Sequence, residues 1–376
     1  MMHAFRVGRI LTMDAQQPEI RDGGILVCEG RIAAIGPWRD VAGDGQPHDL
    51  GPGTLVPGVI NAHTHLGLSH LAGRIPRGLG FPCWADRLFS ILLQEKGTLQ
   101  AAESTLRAMR GSGTCFVADV VAGDQSIASR ALEAQGMAGL LFQEFAGQGR
   151  KGGAYPKAGA CPAVRSGSCS AGVHALYSTS AVLAQAVKRW CVARGRPFTL
   201  HLAEVPGENE LFLSGSGPLS DFLRARRILP KDFSVPQLSA VAFAQELGLL
   251  DAGTLAVHCV QVAEPDVEIL VRSGASVCLC PRSNEWIGVG RAPAHNLHAA
   301  GIPLCLGTDS PASNADMDLW GEVRAARSLI PSISLAGLLA MVTRNPARAL
   351  GIDRDYGSLE AGKKAVWATL PADLED

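Results

Sequence analysis

Eight continuous apolar runs, at 55–65, 113–119, 138–145, 171–177, 198–204, 254–260, 275–281 and 303–309, most constrain what this 376-residue chain can fold into. Runs without polar alternation are expected of parallel strands buried on both faces. Helical patterns separate most of them, at 99–109, 126–135, 180–194, 241–250, 265–273 and 292–300. This alternation predicts an α/β fold, a (β/α)8 TIM barrel, which takes roughly 250 residues. A barrel of this kind gathers its chemistry at the C-terminal ends of its strands. Several runs end there in a histidine or an aspartate: Val56–His65 in His63 and His65, Phe198–His201, Thr254–His258, and Pro303–Asp309.

His63 and His65 stand two residues apart, so on a strand both imidazoles point to one face. Such a pair forms one edge of a metal site. His201, His258 and Asp309 arrive at the same rim from other strands, and His63, His65, His201 and Asp309 give an N/O donor set suited to Zn²⁺ or a neighbouring divalent ion. Composition agrees with a large soluble enzyme: 47% of residues are apolar and the net charge is −1, with no basic surface for nucleic acid or an anionic membrane. No run reaches the 18 apolar residues of a membrane span. The ten cysteines are scattered, mostly within apolar runs, which suits a reducing cytoplasm better than a disulfide framework. Cys278 and Cys280 read as small buried hydrophobes.

The ends of the chain differ from its middle. Short β-like pieces at 5–13, 24–27 and 31–35 are broken by Gly, Asp and Pro, and 357–370 turns β-like again. Residues 1–55 and 352–376 are therefore expected to form a small β-sandwich-like domain from both termini, with the barrel, 56–351, inserted between them.

These segments carry a family resemblance. Val56-Pro57-Gly58-Val59-Ile60-Asn61-Ala62-His63-Thr64-His65 resembles the first-strand signature of the amidohydrolase superfamily. His201-Leu202-Ala203-Glu204, the lone His258, and Gly307-Thr308-Asp309-Ser310 followed by Ala312-Ser313-Asn314 are similar to its aminohydrolase branch. That branch includes deaminases of guanine, S-adenosylhomocysteine, methylthioadenosine and aminofutalosine, and the triazine chlorohydrolases. Gly357-Ser358-Leu359-Glu360-Ala361-Gly362-Lys363 matches the family's closing segment, while Ala365-Val366-Trp367 departs from the Ala-Asp-Leu that usually follows.

The resemblance implies a metal-dependent aminohydrolase acting on a small aminated heterocycle or nucleoside. Members with two metals bridge them through a modified lysine on the fourth strand. Ala171–Tyr177 contains no lysine, so one divalent ion per chain is expected, Zn²⁺ first and Fe²⁺ second. The His-x-Glu with Pro-Cys-x-x-Cys of cytidine-type deaminases is absent, as is His-Glu-x-x-His. Glu204, three residues after His201, is placed to carry a proton from water to a ring nitrogen and then to departing ammonia. Asp309 can orient the water or take its first proton, and His258, by resemblance, polarises it.

Substrate-facing candidates follow the same likeness. His174 stands where related deaminases place a substrate-contacting histidine. Trp84 and Arg74 lie in the long first loop, Arg282 follows the seventh strand, and Ser310 follows Asp309. Arg74-Ile75-Pro76 with Gly80-Phe81 and Trp84 is most similar to the aminofutalosine deaminases of the alternative menaquinone route, whose substrate is an adenosine extended by a benzoate. Gly67 stands where those enzymes commonly carry Glu. Aminofutalosine is therefore the leading expectation. S-adenosylhomocysteine, methylthioadenosine, a guanine-like base, and a chlorohydrolase or amidase reaction are the alternatives. No nucleic-acid or membrane partner is expected, and a homodimer is compatible with this reading.

Overall fold

The computed structural model describes residues 2–122, 125–148 and 167–375. The N-terminal strands β1 (Met2–Leu11), β2 (Glu19–Cys28) and β3 (Arg31–Pro37) form an antiparallel meander. β4 (Gln46–Asp49) and β5 (Thr54–Pro57) both pair parallel to the other edge of β1.

The barrel then begins. Its strands are β6 (Val59–Thr64), β7 (Thr114–Ala122), β8 (Ala138–Phe145), β9 (Gly167–Val173), β10 (Phe198–Leu202), β11 (Thr254–His258), β12 (Ser276–Leu279) and β13 (Leu304–Leu306). They pair in parallel, each with its neighbour in sequence. A bridge from Thr64 to Asp309, with the Asp309 N–H on the His63 carbonyl at 3.0 Å, brings the first strand against the last. This is the expected TIM-like barrel. A final strand, β14 (Trp367–Thr369), returns to pair with β5, so the separate sheet is built from both termini.

The expected first run, 55–65, divides at Gly58. Leu55, Val56 and Pro57 belong to the terminal sheet and Val59 opens the barrel. The Gly58 N–H meets the Val366 carbonyl at 3.0 Å, and a Cβ at Gly58 would stand 2.7 Å from the Cys115 sulfur. The two units therefore meet where the Gly58 backbone packs against the Cys115 side chain, leaving no room for a Cβ.

Alternation within the strands sorts the core. Phe116, Ala118 and Val120 of β7, Leu140 and Phe142 of β8, Leu255 and Val257 of β11, and Cys278 and Cys305 cluster together, with Tyr356 against Phe116. Residues of opposite parity, such as Val117 and Leu141, pack on helices with Leu106 and Met109. Cys278 and Cys280 are buried among these apolar groups. Among the described residues no helix is long and apolar enough to cross a membrane.

Candidate active site

β6 ends by aiming His63 and His65 into the rim. The strand is clamped on both sides. Asp119 of β7 is fully buried and accepts hydrogen bonds from Thr64 Oγ1 at 2.7 Å and the Leu66 N–H at 2.6 Å. Burial pushes its carboxyl up to about 7. On the other side Asn61 Nδ2 donates to Thr308 Oγ1 at 2.7 Å, and the Thr308 N–H donates to Asn61 Oδ1 at 3.1 Å. Gly307 completes the closure, since a Cβ there would lie 2.7 Å from His63 Cβ and 2.9 Å from the His63 backbone N and O.

His63, His65 and His201 bring one ring nitrogen each within 4.8 Å of one another. The second nitrogens decide which atoms are available. His65 Nδ1–H donates to the Val120 carbonyl at 3.0 Å and His201 Nδ1–H to the His174 carbonyl at 2.8 Å, leaving each Nε2 as a free donor atom. His63 is buried, and neither of its nitrogens has a hydrogen-bond partner. Asp309 Oδ1 lies 3.6 Å from His63 Nε2 and 3.5 Å from His65 Nε2. Its other oxygen, Oδ2, is held by Ser283 Oγ at 2.5 Å and Ser313 Oγ at 2.8 Å.

Electrostatics fit the same reading. Burial drives the imidazoles of His63, His201 and His258 below their ordinary range, and that of His65 to about 4. They are therefore neutral, the form that binds a metal. Burial opposes ionisation of Asp309, yet His63, His65 and His258 hold it well below the usual carboxylate range. One unpartnered buried imidazole, two more with a free Nε2, and one ionised carboxylate are the environment a divalent cation completes, so these residues fit the expected ion.

Glu204 and His258 face each other beside this cluster, with Oε1 to Nε2 at 3.7 Å. Each is fixed by a neighbouring polar residue. Glu208 accepts the backbone N–H groups of Ala203, Glu204 and Val205 at 3.1, 3.0 and 3.3 Å. His258 Nδ1 meets Asn284 Oδ1 at 2.9 Å, which leaves Nε2 toward the site. Burial pushes Glu204 up to about 7, His201 acting against the rise and Asp309 with it. Ala203, His258 and Asp309 all adopt left-handed backbone, with φ of 49°, 75° and 58°. Non-glycine residues rarely sit there, at a cost on the order of 1–3 kcal/mol each, and such strain concentrates at functional sites.

These groups open into a cavity of about 870 Å³, within the range of small-molecule sites. Trp84 and Phe81 form part of its wall, with Trp84 Nε1 on the Ala312 carbonyl at 3.2 Å. His174, held by Ser178 Oγ at 2.7 Å, and Ser310 also line it. The two arginines lie elsewhere. Arg282 is paired with Asp316 through two bonds of 2.7 and 2.9 Å, and its backbone N–H is on Glu322. Arg74 is paired with Glu95 at 2.5 and 2.9 Å, and only Glu95 reaches the wall. Among the described residues, the cations that line the cavity are Lys96 and Arg227. Glu144, on the inward face of β8, also lines it and was not marked by the apolar pattern; burial pushes its carboxyl up to about 7.

Comparison with known proteins identifies the family. The profile of the amidohydrolase family matches residues 54–373, and the chain belongs to that family. It is a hydrolase acting on C–N bonds, with a metal-dependent site. The chain is 29% identical over 403 residues to a 5-methylthioadenosine/S-adenosylhomocysteine deaminase of Moorella thermoacetica, covering 96% of this chain and 85% of the relative. It is 28% identical over 374 residues to an aminodeoxyfutalosine deaminase of Deinococcus radiodurans, covering 91% and 86%. Its fold matches the Helicobacter pylori aminofutalosine deaminase solved with methylthio-coformycin, at a TM-score of 0.82 and 20% identity over 97% of this chain and 91% of that one.

Proposed function

We propose that this chain is a metal-dependent hydrolytic deaminase that converts an amino-purine nucleoside, or a related aminated heterocycle, to its oxo product and ammonia, with aminofutalosine as its leading substrate. The observation that carries the reading is the pair Glu204 and His258, 3.7 Å apart beside the cluster of His63, His65, His201 and Asp309. Those four residues would hold one divalent ion, Zn²⁺ by the chemistry of the donor set. Such an ion supplies a water whose pKa is lowered to about 7.

The chain's own groups handle the protons. His258 Nε2, its Nδ1–H given to Asn284, can accept a hydrogen bond from the attacking water and orient it. Asp309 Oδ1 can take the first proton. A protonated Glu204 gives its proton to the ring nitrogen beside the amino-bearing carbon, carries the remaining water proton to the amino group, and is then reprotonated by Asp309. A C–O bond forms and the C–N bond breaks. In the net balance, one of the two protons that water supplies is added to the ring and the other leaves in ammonia. A carboxyl near 7 is populated in both forms at neutral pH, as this double duty requires. Chloride departure needs no donated proton, so Glu204 favours deamination over a chlorohydrolase reaction.

The first-loop sequence and the Deinococcus radiodurans relative support aminofutalosine. Arg74 and Arg282 are committed to Glu95 and Asp316, so among the described residues the partners for an anionic tail are Lys96 and Arg227. The test is ammonia release and ultraviolet conversion on aminofutalosine, methylthioadenosine, S-adenosylhomocysteine, adenosine and guanine. Aminofutalosine should give the highest kcat/KM. Lys96→Met or Arg227→Met should raise its KM by roughly ten- to a hundred-fold, the worth of a charge-assisted hydrogen bond, and spare adenosine. Preference for a neutral nucleoside would remove aminofutalosine and keep deamination. No ammonia from any of the five would remove both.

A further inference from the structure

Glu144 is a buried carboxylate in the active cavity that no part of the chemistry above uses. It continues the inward face of β8 two residues after Phe142 and four after Leu140. Its register partner on β9 is Gly172, which places no side chain beside it. The side chain is 9% exposed, and Oε1 has no hydrogen-bond partner. Its Oε1 lies 3.9 Å from His201 Nδ1, whose proton is already given to the His174 carbonyl. The Tyr177 hydroxyl, from a residue lining the same cavity, is likewise buried and unpartnered. An unsatisfied buried polar group costs about 1–3 kcal/mol and calls for a donor from outside the protein.

Two occupants could supply it. Glu144, His174 and His201 approach one another closely enough to suggest a second metal ion. His201, however, has its Nδ1 committed and its Nε2 turned to the first cluster, which leaves only Glu144 and His174. Two protein ligands are fewer than a bound zinc takes. The other occupant is the substrate. An aminated purine nucleoside carries its amino group to the reacting end of the cavity. Its free ring nitrogens are acceptors, so its remaining strong hydrogen-bond donors are the sugar hydroxyls.

We infer that Glu144 accepts hydrogen bonds from the sugar hydroxyls of the substrate and so selects ribosides over deoxyribosides. The inference rests on the nucleoside reading above. Its test compares adenosine with 2′,3′-dideoxyadenosine in the metal-loaded wild type, Glu144→Gln and Glu144→Ala, measuring kcat/KM and bound metal. The wild type should prefer adenosine by about ten- to a hundred-fold, the worth of a hydrogen bond to a charged group. In Glu144→Ala that preference should collapse to about twofold, the margin within which independent effects add, while the metal is retained. Glu144→Gln, which keeps the shape and one acceptor oxygen, should fall between and covers the case in which the alanine variant does not fold. An undiminished preference in both variants, or loss of metal with activity, overturns the assignment. A wild type that deaminates neither of these nor any of the five substrates above instead removes the nucleoside reading, and this inference with it.

Discussion

The carboxylate of Glu208 accepts the backbone N–H of Glu204 at 3.0 Å, so one buried acid fixes the loop that presents another. With Ala203 and Val205 it holds three consecutive amides, directly after the strand that delivers His201. The hydrogen bonds lower the Glu208 carboxyl and burial raises it, and burial wins, at about 7. Glu208 acts through Glu204 and is a positioning residue.

Glu208→Ala should therefore lower kcat, by up to about a hundredfold if Glu204 moves on the order of 1 Å, with little change in KM or in bound metal. Glu208→Gln, which still offers an acceptor, should recover part of the loss. The check is steady-state kinetics beside elemental analysis. Unchanged kcat in the alanine variant would separate the loop from the chemistry.

Gly307 sets a second constraint, on the metal ligands. A Cβ there meets the His63 backbone at 2.9 Å, and backbone cannot swing aside. Gly307→Ala should cost about 1–3 kcal/mol of stability from overpacking and weaken metal binding by about 10- to 100-fold, as displaced supporting groups do. Competition with a chelator reads the second effect. Unaltered metal affinity would show that the strand ends have room to give.

Much of this site was legible in the sequence because it sits at strand ends. The runs finishing in His63, His65, His201, His258 and Asp309 are parallel strands, and barrel closure brings their last residues together whatever the helices do. The boundary inside 55–65 was hidden, since Val56, Pro57 and Val59 are equally apolar and only pairing with β1 and β14 divides them. Arg74 and Arg282 were misplaced at the mouth because long side chains take partners that no local pattern encodes, here 21 and 34 residues away. Asp119 and Glu144 did leave a signal: a carboxylate in an apolar strand, in the register of its neighbours. Glu208 left a weaker one, an acid four residues after Glu204.

A buried acid outside the metal cluster gives a prediction about pH. Glu322 is fully buried, accepting from Asn314 Nδ2 at 2.8 Å and from the Arg282 N–H at 3.1 Å. Burial outweighs both bonds and the Arg282 charge, raising its carboxyl from 4.5 to about 7. A raised carboxyl in the folded state favours folding below pH 4.5 and loses that contribution as pH climbs to about 7. Glu322→Gln removes the titration and keeps an acceptor. Its stability relative to wild type should rise between those limits, by up to about 3 kcal/mol. Denaturant melts at pH 4.5, 6 and 7.5 would show it. A difference that does not vary with pH would mean Glu322 ionises as freely folded as unfolded.

The most direct test of the central claim is Glu204→Gln, assayed for both bound metal and ammonia release on the preferred nucleoside. If His63, His65, His201 and Asp309 hold the ion and Glu204 moves the protons, the variant retains one divalent ion per chain. Its kcat falls by about 10²–10⁴-fold, the usual contribution of general acid–base catalysis. Loss of the ion together with activity would make Glu204 a ligand, and undiminished ammonia release would leave it with no part in the reaction; either result contradicts the account.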